Sequence, residues 1–380
     1  MLIPASKNAS KLRRLAITCG GTGGHFYPGL SIAREFKKQR GEVILLLSGK
    51  NVEFQAAIAE KFGITAVRLR SMPNPKNIKT TIQFILGTIS GTISSYIKLK
   101  SFHADAVLGM GSFASMPPAI AARILRIPLF LHDGNARIGK ANRILSRWAR
   151  HLSTAFPAVN LETSKCPCEC TGMPLRPEIL GSELSKSKAI AMLNEKFGSN
   201  LNHKLPTMLI FGGSQGAQIF NEIFPNALKK FQKCKFQVIH LSGEGKFDAL
   251  KAVYENVSFP VLALPSAAEM DLFYQAADVV VCRSGGSTVA ELTLFGKFSF
   301  LIPYPFAAEK HQDDNARFLA ASGAAEIIDN ADCTPERIKK IIEKWLNNPE
   351  KYADLGAKAK ALAMPDAADA ITWKIIRMIL

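Results

Sequence analysis

CGGTGGHFYPG, Cys19–Gly29, follows the apolar run LAIT at Leu15–Thr18 and leads into a helical pattern through Gln39. Strand, glycine turn and helix in that order form a unit that holds anions. Glycines let the backbone approach a ligand, and the helix start presents unpaired N–H groups. Neither standard nucleotide motif fits. A dinucleotide fingerprint needs glycine where Phe26 stands and an acid closing the next strand, which instead ends LLLSGK. A P-loop needs Gly and Lys where His25 and Phe26 stand. What remains is a turn with one hydroxyl, Thr22, and one imidazole, His25, the side chain there that exchanges a proton near neutral pH. At the ligand edge of a sheet His25 is a candidate acid–base group, and a structural histidine is the alternative.

From this turn outward, strand-like and helical runs alternate, which predicts an α/β protein with parallel sheets. The first series has strands at LAITCG (15–20), EVILLLSG (42–49), TAVRL (65–69), DAVLGMG (105–111), IPLFLHD (127–133) and LSTAF (152–156). The segment KCPCECTGMPLRPE (165–178) reads as a linker. The pattern then restarts with TMLIFGG (207–213) and a second glycine turn. Two such series predict two Rossmann-like domains facing a cleft. Their expected bounds are 1–172 and 173–365, with a C-terminal helix at 366–380 packing back on the first domain. The 380 residues, 47% hydrophobic, suit two cores of about 150–200 residues each.

The net charge of +17 is uneven, since residues 61–160 hold fourteen Lys or Arg against Asp105 and Asp133 alone. A basic half points to an anionic partner: nucleic acid, a phosphate-bearing substrate or an acidic lipid surface. The cysteines Cys19, Cys166, Cys168, Cys170, Cys234, Cys282 and Cys333 lack zinc-site spacing and read as free thiols. The start, MLIPASKNASKLRR, is basic and LAIT is too short for a signal peptide's core. No run reaches the roughly 18–20 apolar residues of a membrane span, so a cytoplasmic location is expected. NIKTTIQFILGTISGTISSYIKLK (77–100) repeats isoleucine at helical spacing, at Ile78, Ile82, Ile85, Ile89, Ile93 and Ile97, with Lys76, Lys79, Lys98 and Lys100 at its ends. It reads either as an amphipathic helix packed on its own domain or as one dipping into an anionic membrane surface.

Three further turns resemble the first. GMGSFASMPP begins at Gly109, GGSQGA at Gly212, and CRSGGSTVAE at Cys282. Ser214 with the amides of Gln215 and Gly216 can form an anion nest. Gly285, Gly286 and Ser287 open a helix with Glu291 one turn in, a carboxylate placed to take two ribose hydroxyls while the amides hold a diphosphate.

GGTGGHFYPGLSIA, GMGSFASMP, HDGNARIGKANR, TGMPLR, GGSQGA, CRSGGSTVAE and PYPFAAEKHQDDNA, in that order, resemble the MurG-type family of bacterial peptidoglycan N-acetylglucosaminyltransferases over nearly the whole chain. The resemblance implies a GT-B fold with the sugar nucleotide on the second domain and a lipid acceptor facing the first. It implies that Thr22, Gly23, Gly24 and Asn135 meet the donor sugar, and that Arg176 and Ser214 meet the nucleotide or its diphosphate. The turn Gly286, Ser287, Thr288, Val289, Ala290 and Glu291 would bind phosphate and ribose. Gln312 with His311 would read N-acetylglucosamine, and the backbone near Ala267 would hold uracil. Gly109, Gly111, Ser112 and Phe113 fall on the acceptor side. HDGN stands where HEQN is common, Ser112 and Met116 where glycines are, and Met173 where an Asn is, which bears on the shape of the acceptor side.

The activity implied is inverting transfer of N-acetylglucosamine from UDP-N-acetylglucosamine to the C4 hydroxyl of lipid I, giving lipid II for peptidoglycan, and through it cell shape and division. His25 is the candidate general base. Helix-start amides and Arg176 stabilise the leaving UDP, so neither a tightly bound cofactor nor a divalent metal is required. The expected partners are lipid I, an anionic membrane surface and cell-wall synthesis proteins, with no nucleic acid. The expected location is peripheral, at the cytoplasmic face of the cell membrane. The alternatives are another GT-B lipid glycosyltransferase of diacylglycerol type, a UDP-sugar epimerase, or a basic nucleic-acid-binding protein without catalysis.

Overall fold

The computed structural model describes residues 13–20, 23–49, 51–70, 77–181, 183–213, 215–231, 236–255 and 257–380. Two wholly parallel sheets carry it. The first is built from β1 (Arg14–Gly20), β2 (Glu42–Ser48), β3 (Thr65–Arg68), β4 (Ala106–Gly109), β5 (Leu129–Asp133), β6 (Ala149–Thr154) and β7 (Cys168–Cys170), in the order β3-β2-β1-β4-β5-β6-β7. The second is built from β8 (Thr207–Phe211), β9 (Gln237–Leu241), β10 (Val261–Leu264), β11 (Val279–Cys282), β12 (Phe298–Leu301) and β13 (Ala325–Ile327), in the order β10-β9-β8-β11-β12-β13. Central strands are mostly apolar because helices cover both faces, as parallel sheets require, with polar residues such as Thr18, His132 and Asp133 toward their carboxyl ends. Leu15, Ala16 and Ile17 of β1 and Val279 and Val280 of β11 are fully buried.

The expected α/β architecture of two Rossmann-like sheets is what the chain adopts. Part of the segment read as a linker is ordered otherwise: Cys168–Cys170 is an edge strand paired with Leu152–Thr154 of β6. The chain leaves the first sheet after Cys170 and returns after Pro365. The last helix, Ala367–Ile379, then buries Ile371, Ile375 and Ile376 among Leu15, Phe26, Phe36 and Leu47 of the first domain.

The isoleucine-rich segment is a helix, Ile78–Phe102, started by a capping box in which Asn77 Oδ1 accepts from Thr80 N at 2.9 Å. Its buried face is the small-residue one, Gly87, Gly91, Ser95 and Leu99. A Cβ on Gly91 would stand 3.1 Å from Pro117, so the helix crosses Met116–Ile124 closely. The isoleucine stripe faces outward: Ile82, Ile85, Ile89, Ile93 and Ile97 are each 52–58% exposed and Ile78 82%. The reading of that stripe as core is therefore wrong. Small residues let the backbones approach, and the large side chains are left on the surface.

Candidate active site

All four glycine turns sit on strands that flank the place where strand order reverses. β1 and β4 are neighbours in the first sheet, β8 and β11 in the second. At such a switch point successive connections leave to opposite sides, opening a crevice at the strands' carboxyl ends.

On the first-domain wall, the helix Gly23–Lys38 starts at Gly23, with Gly23 and Gly24 exposed on its first turn. Thr22 lies outside the described residues. The His25 ring packs over Gly111, where an added Cβ would lie 3.4 Å from Nε2 and Cδ2, and Gly111 itself has φ +93°. Glycine serves there on both counts, since an L side chain avoids that φ. Burial, with a smaller contribution from His311 across the cleft, holds the His25 pKa down at about 4. The imidazole is thus neutral at pH 7 and able to accept a proton.

Gly109 ends β4, and Ser112 takes φ +60°, the region that explains why glycine is common there. Ser112 Oγ accepts from Ala114 N at 3.2 Å, and Phe113 sets its ring edge-on to Phe84 of the isoleucine-rich helix at 5.8 Å. The loop after β4 is thereby joined to the exposed stripe.

Asp133, at the end of β5, accepts from Gly139 N at 2.8 Å, Asn142 Nδ2 at 3.0 Å and Asn135 N at 3.2 Å. Burial raises its pKa against those donors, which favour the charged form. The carboxylate shapes the loop carrying Asn135. The buried His132 donates Nε2–H to Gly172 O at 3.3 Å, and burial holds its pKa down at about 4.

On the second-domain wall the helix Gly286–Leu294 begins after Gly285, and no side chain caps it. Its first amides, from Gly286, Ser287 and Thr288, are therefore available to an anion. Val289 and Ala290 are buried behind them. Glu291 accepts from Tyr274 Oη at 2.9 Å; burial raises its pKa, while Arg176 and that hydrogen bond lower it. Arg176 stacks 5.1 Å over the Tyr27 ring of the first domain. Ala267 lies in the turn after β10, and Ser214 is outside the described residues.

Gln312 Oε1 accepts from Tyr304 N at 2.9 Å, which leaves its NH2 as the end able to serve a ligand. His311 donates from Nδ1 to Ala308 O at 2.8 Å, freeing Nε2 as an acceptor.

The walls meet at one seam. Gly286 is so close to Gly134 that a Cβ on it would lie 1.8 Å from Gly134 O. Beside it Asn315, fully buried, takes a hydrogen bond from Ala136 N at 2.8 Å and gives one to Asn135 Oδ1 at 3.1 Å. Arg137 pairs with Asp314 at 2.6 Å and Arg143 with Glu309 at 2.8 Å.

Tyr274, Asn315 and Asp133 were not singled out from sequence as site residues. Tyr274 sits in the apolar helix Met270–Ala276 without a motif, and Asn315, though inside PYPFAAEKHQDDNA, stands in a polar run that gives it no role apart from its neighbours. Among the described residues six cysteines are free, and no group of three or more His, Cys, Asp or Glu is placed to hold a metal. Among them, too, no helix is long and apolar enough to cross a membrane.

Residues 15–154 match the glycosyltransferase family 28 N-terminal domain and residues 207–371 its C-terminal domain. A UDP-N-acetylglucosamine–N-acetylmuramyl-(pentapeptide) pyrophosphoryl-undecaprenol N-acetylglucosamine transferase of Desulforamulus reducens is 35% identical, covering 93% of this chain and 95% of its own. A like-named protein of Citrifermentans bemidjiense is 34% identical over 96% and 99%. Among solved structures, Acinetobacter baumannii MurG superposes with a TM-score of 0.77 at 27% identity, covering 96% of this chain and all of that one. A Neisseria meningitidis UDP-GlcNAc 2-epimerase bound to UDP-GlcNAc reaches 0.67 at 14% identity over 96% and 100%, a likeness of fold alone.

Proposed function

We propose, from the premise that the chain belongs to glycosyltransferase family 28 and to its peptidoglycan N-acetylglucosaminyltransferases, a division of labour across the cleft. The chain transfers N-acetylglucosamine from its UDP donor to the lipid-linked N-acetylmuramyl-pentapeptide acceptor, lipid I. The product is lipid II, the precursor of peptidoglycan, on which cell shape and division depend. The observation that carries the assignment of roles is the pairing of two walls. One has an uncapped helix start with Glu291; the other has a neutral His25 over Gly111.

The second domain binds the donor. Amides of Gly286, Ser287 and Thr288 take the diphosphate, Glu291 the ribose hydroxyls, and the backbone near Ala267 the uracil. Gln312, Asn135 and the turn around Gly23 and Gly24 read the sugar. The acceptor's C4 hydroxyl attacks the anomeric carbon as His25 removes its proton, and UDP departs from the opposite face, so the α-linked donor gives a β-linked product. Arg176 and the helix-start amides meet the charge growing on UDP. They are a sufficient positive field for that step, so the transfer is proposed to proceed without a divalent metal and to persist in EDTA.

The acceptor is delivered at a membrane surface. The exposed isoleucines of Ile78–Phe102, with Lys98 and Lys100 at one end and the basic balance of residues 61–160, suit an anionic leaflet. The protein is proposed to act peripherally at the cytoplasmic face of the cell membrane. Transfer of labelled N-acetylglucosamine from UDP to a lipid I analogue is the deciding assay, and absence of transfer by the wild type would overturn the assignment.

A further inference from the structure

We infer that Asn315 is a positioning residue that locks the first domain in register with the donor-binding helix. The inference rests on the transferase reading of the cleft. Asn315 is fully buried, and its side-chain amide makes three hydrogen bonds to two segments, the loop at Asn135 and Ala136 and the strand end at Ser284. Oδ1 accepts from Ala136 N at 2.8 Å, and Nδ2 donates to Asn135 Oδ1 at 3.1 Å and to Ser284 O at 3.0 Å. The orientation is fixed, because a backbone N–H only donates and a backbone carbonyl only accepts. Both donors are spent within the protein, so Asn315 acts on other residues and touches no substrate.

What it acts on is specific. By occupying Asn135 Oδ1 it fixes which end of that amide is the NH2, a two-hydrogen donor that engages the Asp133 carboxylate and has a second hydrogen suited to a sugar hydroxyl. Ser284, which it also holds, donates from Oγ to Gln312 O at 2.7 Å and precedes the anion-binding turn. Gln312 and Asn315 are three apart on one helix and share a face. A single amide thus ties the first-domain loop, the diphosphate turn and the sugar-reading helix together. The neighbouring Asp314, 6% exposed, closes the same seam through Arg137.

The lock is tested from both sides in the full-length protein. Asn315→Asp keeps the shape and the acceptor but loses both donors. Arg137→Glu sets like charge against Asp314 and leaves every second-domain hydrogen bond intact. Both are expected to lower kcat at least tenfold. For Arg137→Glu the UDP dissociation constant, measured by calorimetry, should stay within twofold, because the nucleotide contacts lie on the second domain. Small-angle scattering should report a larger radius of gyration for both variants. The exchange Arg137→Asp with Asp314→Arg should recover part of kcat. A kcat within twofold of wild type in both single variants would overturn the lock. So would a loss of UDP affinity in step with kcat in Arg137→Glu, the mark of a damaged second domain. A wild type without transfer would instead sink the transferase assignment, and scattering would then decide the lock alone: unchanged dimensions overturn it.

Discussion

The terminal methyl of Met173 lies 3.0 Å from where a Cβ on Gly134 would stand, and 3.1 Å from where one on Gly286 would stand. Two departures from the family's usual residues, Gly134 for Gln and Met173 for Asn, therefore fill one space at the domain seam. Gly134→Gln alone should cost about 1–3 kcal/mol by overpacking. Met173→Asn alone should cost about 1–3 kcal/mol by burying an amide without a partner. Combined, the two should cost less than their sum by roughly 0.5–3 kcal/mol. Denaturant unfolding of the four proteins measures this, and strict additivity would show that the pair is not coupled.

His25→Ala should lower kcat by about 10²–10⁴-fold, the usual worth of a general base, with little change in the KM for UDP-N-acetylglucosamine. The wild-type kcat/KM should be level from pH 8 down to 6, its acid limb lying nearer 4 than 6.5, because burial favours the neutral imidazole. Full activity in the variant would remove His25 as the base and leave the transferase assignment standing.

Glu291→Ala should raise the donor KM tenfold or more, equivalent to about 1.4 kcal/mol of binding. Tyr274→Phe removes the hydroxyl that holds the carboxylate and should raise KM by a smaller factor with kcat retained. Steady-state kinetics over donor concentration separates the two. An equal effect on kcat from Tyr274→Phe would mean that the tyrosine does more than orient Glu291.

Ile89→Glu together with Ile93→Glu should weaken binding to anionic vesicles while transfer to a short-chain, water-soluble acceptor stays near wild type. Each buried isoleucine is worth about 1.5–3 kcal/mol of transfer, so the loss should exceed tenfold. Binding of the wild type should also weaken with salt. Unchanged vesicle partitioning would exclude this face as the docking surface.

Stability should fall on acidification through a defined window. Burial holds His25 and His132 at about 4 and His240, beside Tyr254, at about 3. The folded state thus binds fewer protons than the unfolded one between pH 6.5 and these values, and stability drains as pH falls across that range. Asp133 and Glu291, raised by burial, act in the opposite sense. The urea midpoint should be lower at pH 5 than at pH 7, and His240→Gln should flatten the dependence. An identical slope in that variant would show that His240 is not among the groups responsible.

The glycine turns and their order were legible because chain geometry demands them: no other residue type lets four strand ends approach a ligand. The orientation of Ile78–Phe102 was not. Its isoleucines and its glycines both repeat at helical spacing, and choosing the buried face takes knowledge of Pro117 on the neighbouring helix. β13 escaped notice because it is three half-buried residues, and Lys186–Phe197 and Pro349–Lys360 because their buried residues are few or small. Asn315 was hidden by its surroundings, a buried amide inside a run of acids that reads as solvated surface.

The return of Ala367–Ile379 to the first domain reorders events during synthesis. The first sheet is fully translated at Cys170, yet the layer that seals Leu15, Phe26 and Phe36 arrives about two hundred residues later. At a ribosomal pace of roughly 5–20 residues per second, that is a delay of about 10–40 s. Through that interval the nascent chain carries an open apolar floor, and the second domain emerges before the first can close.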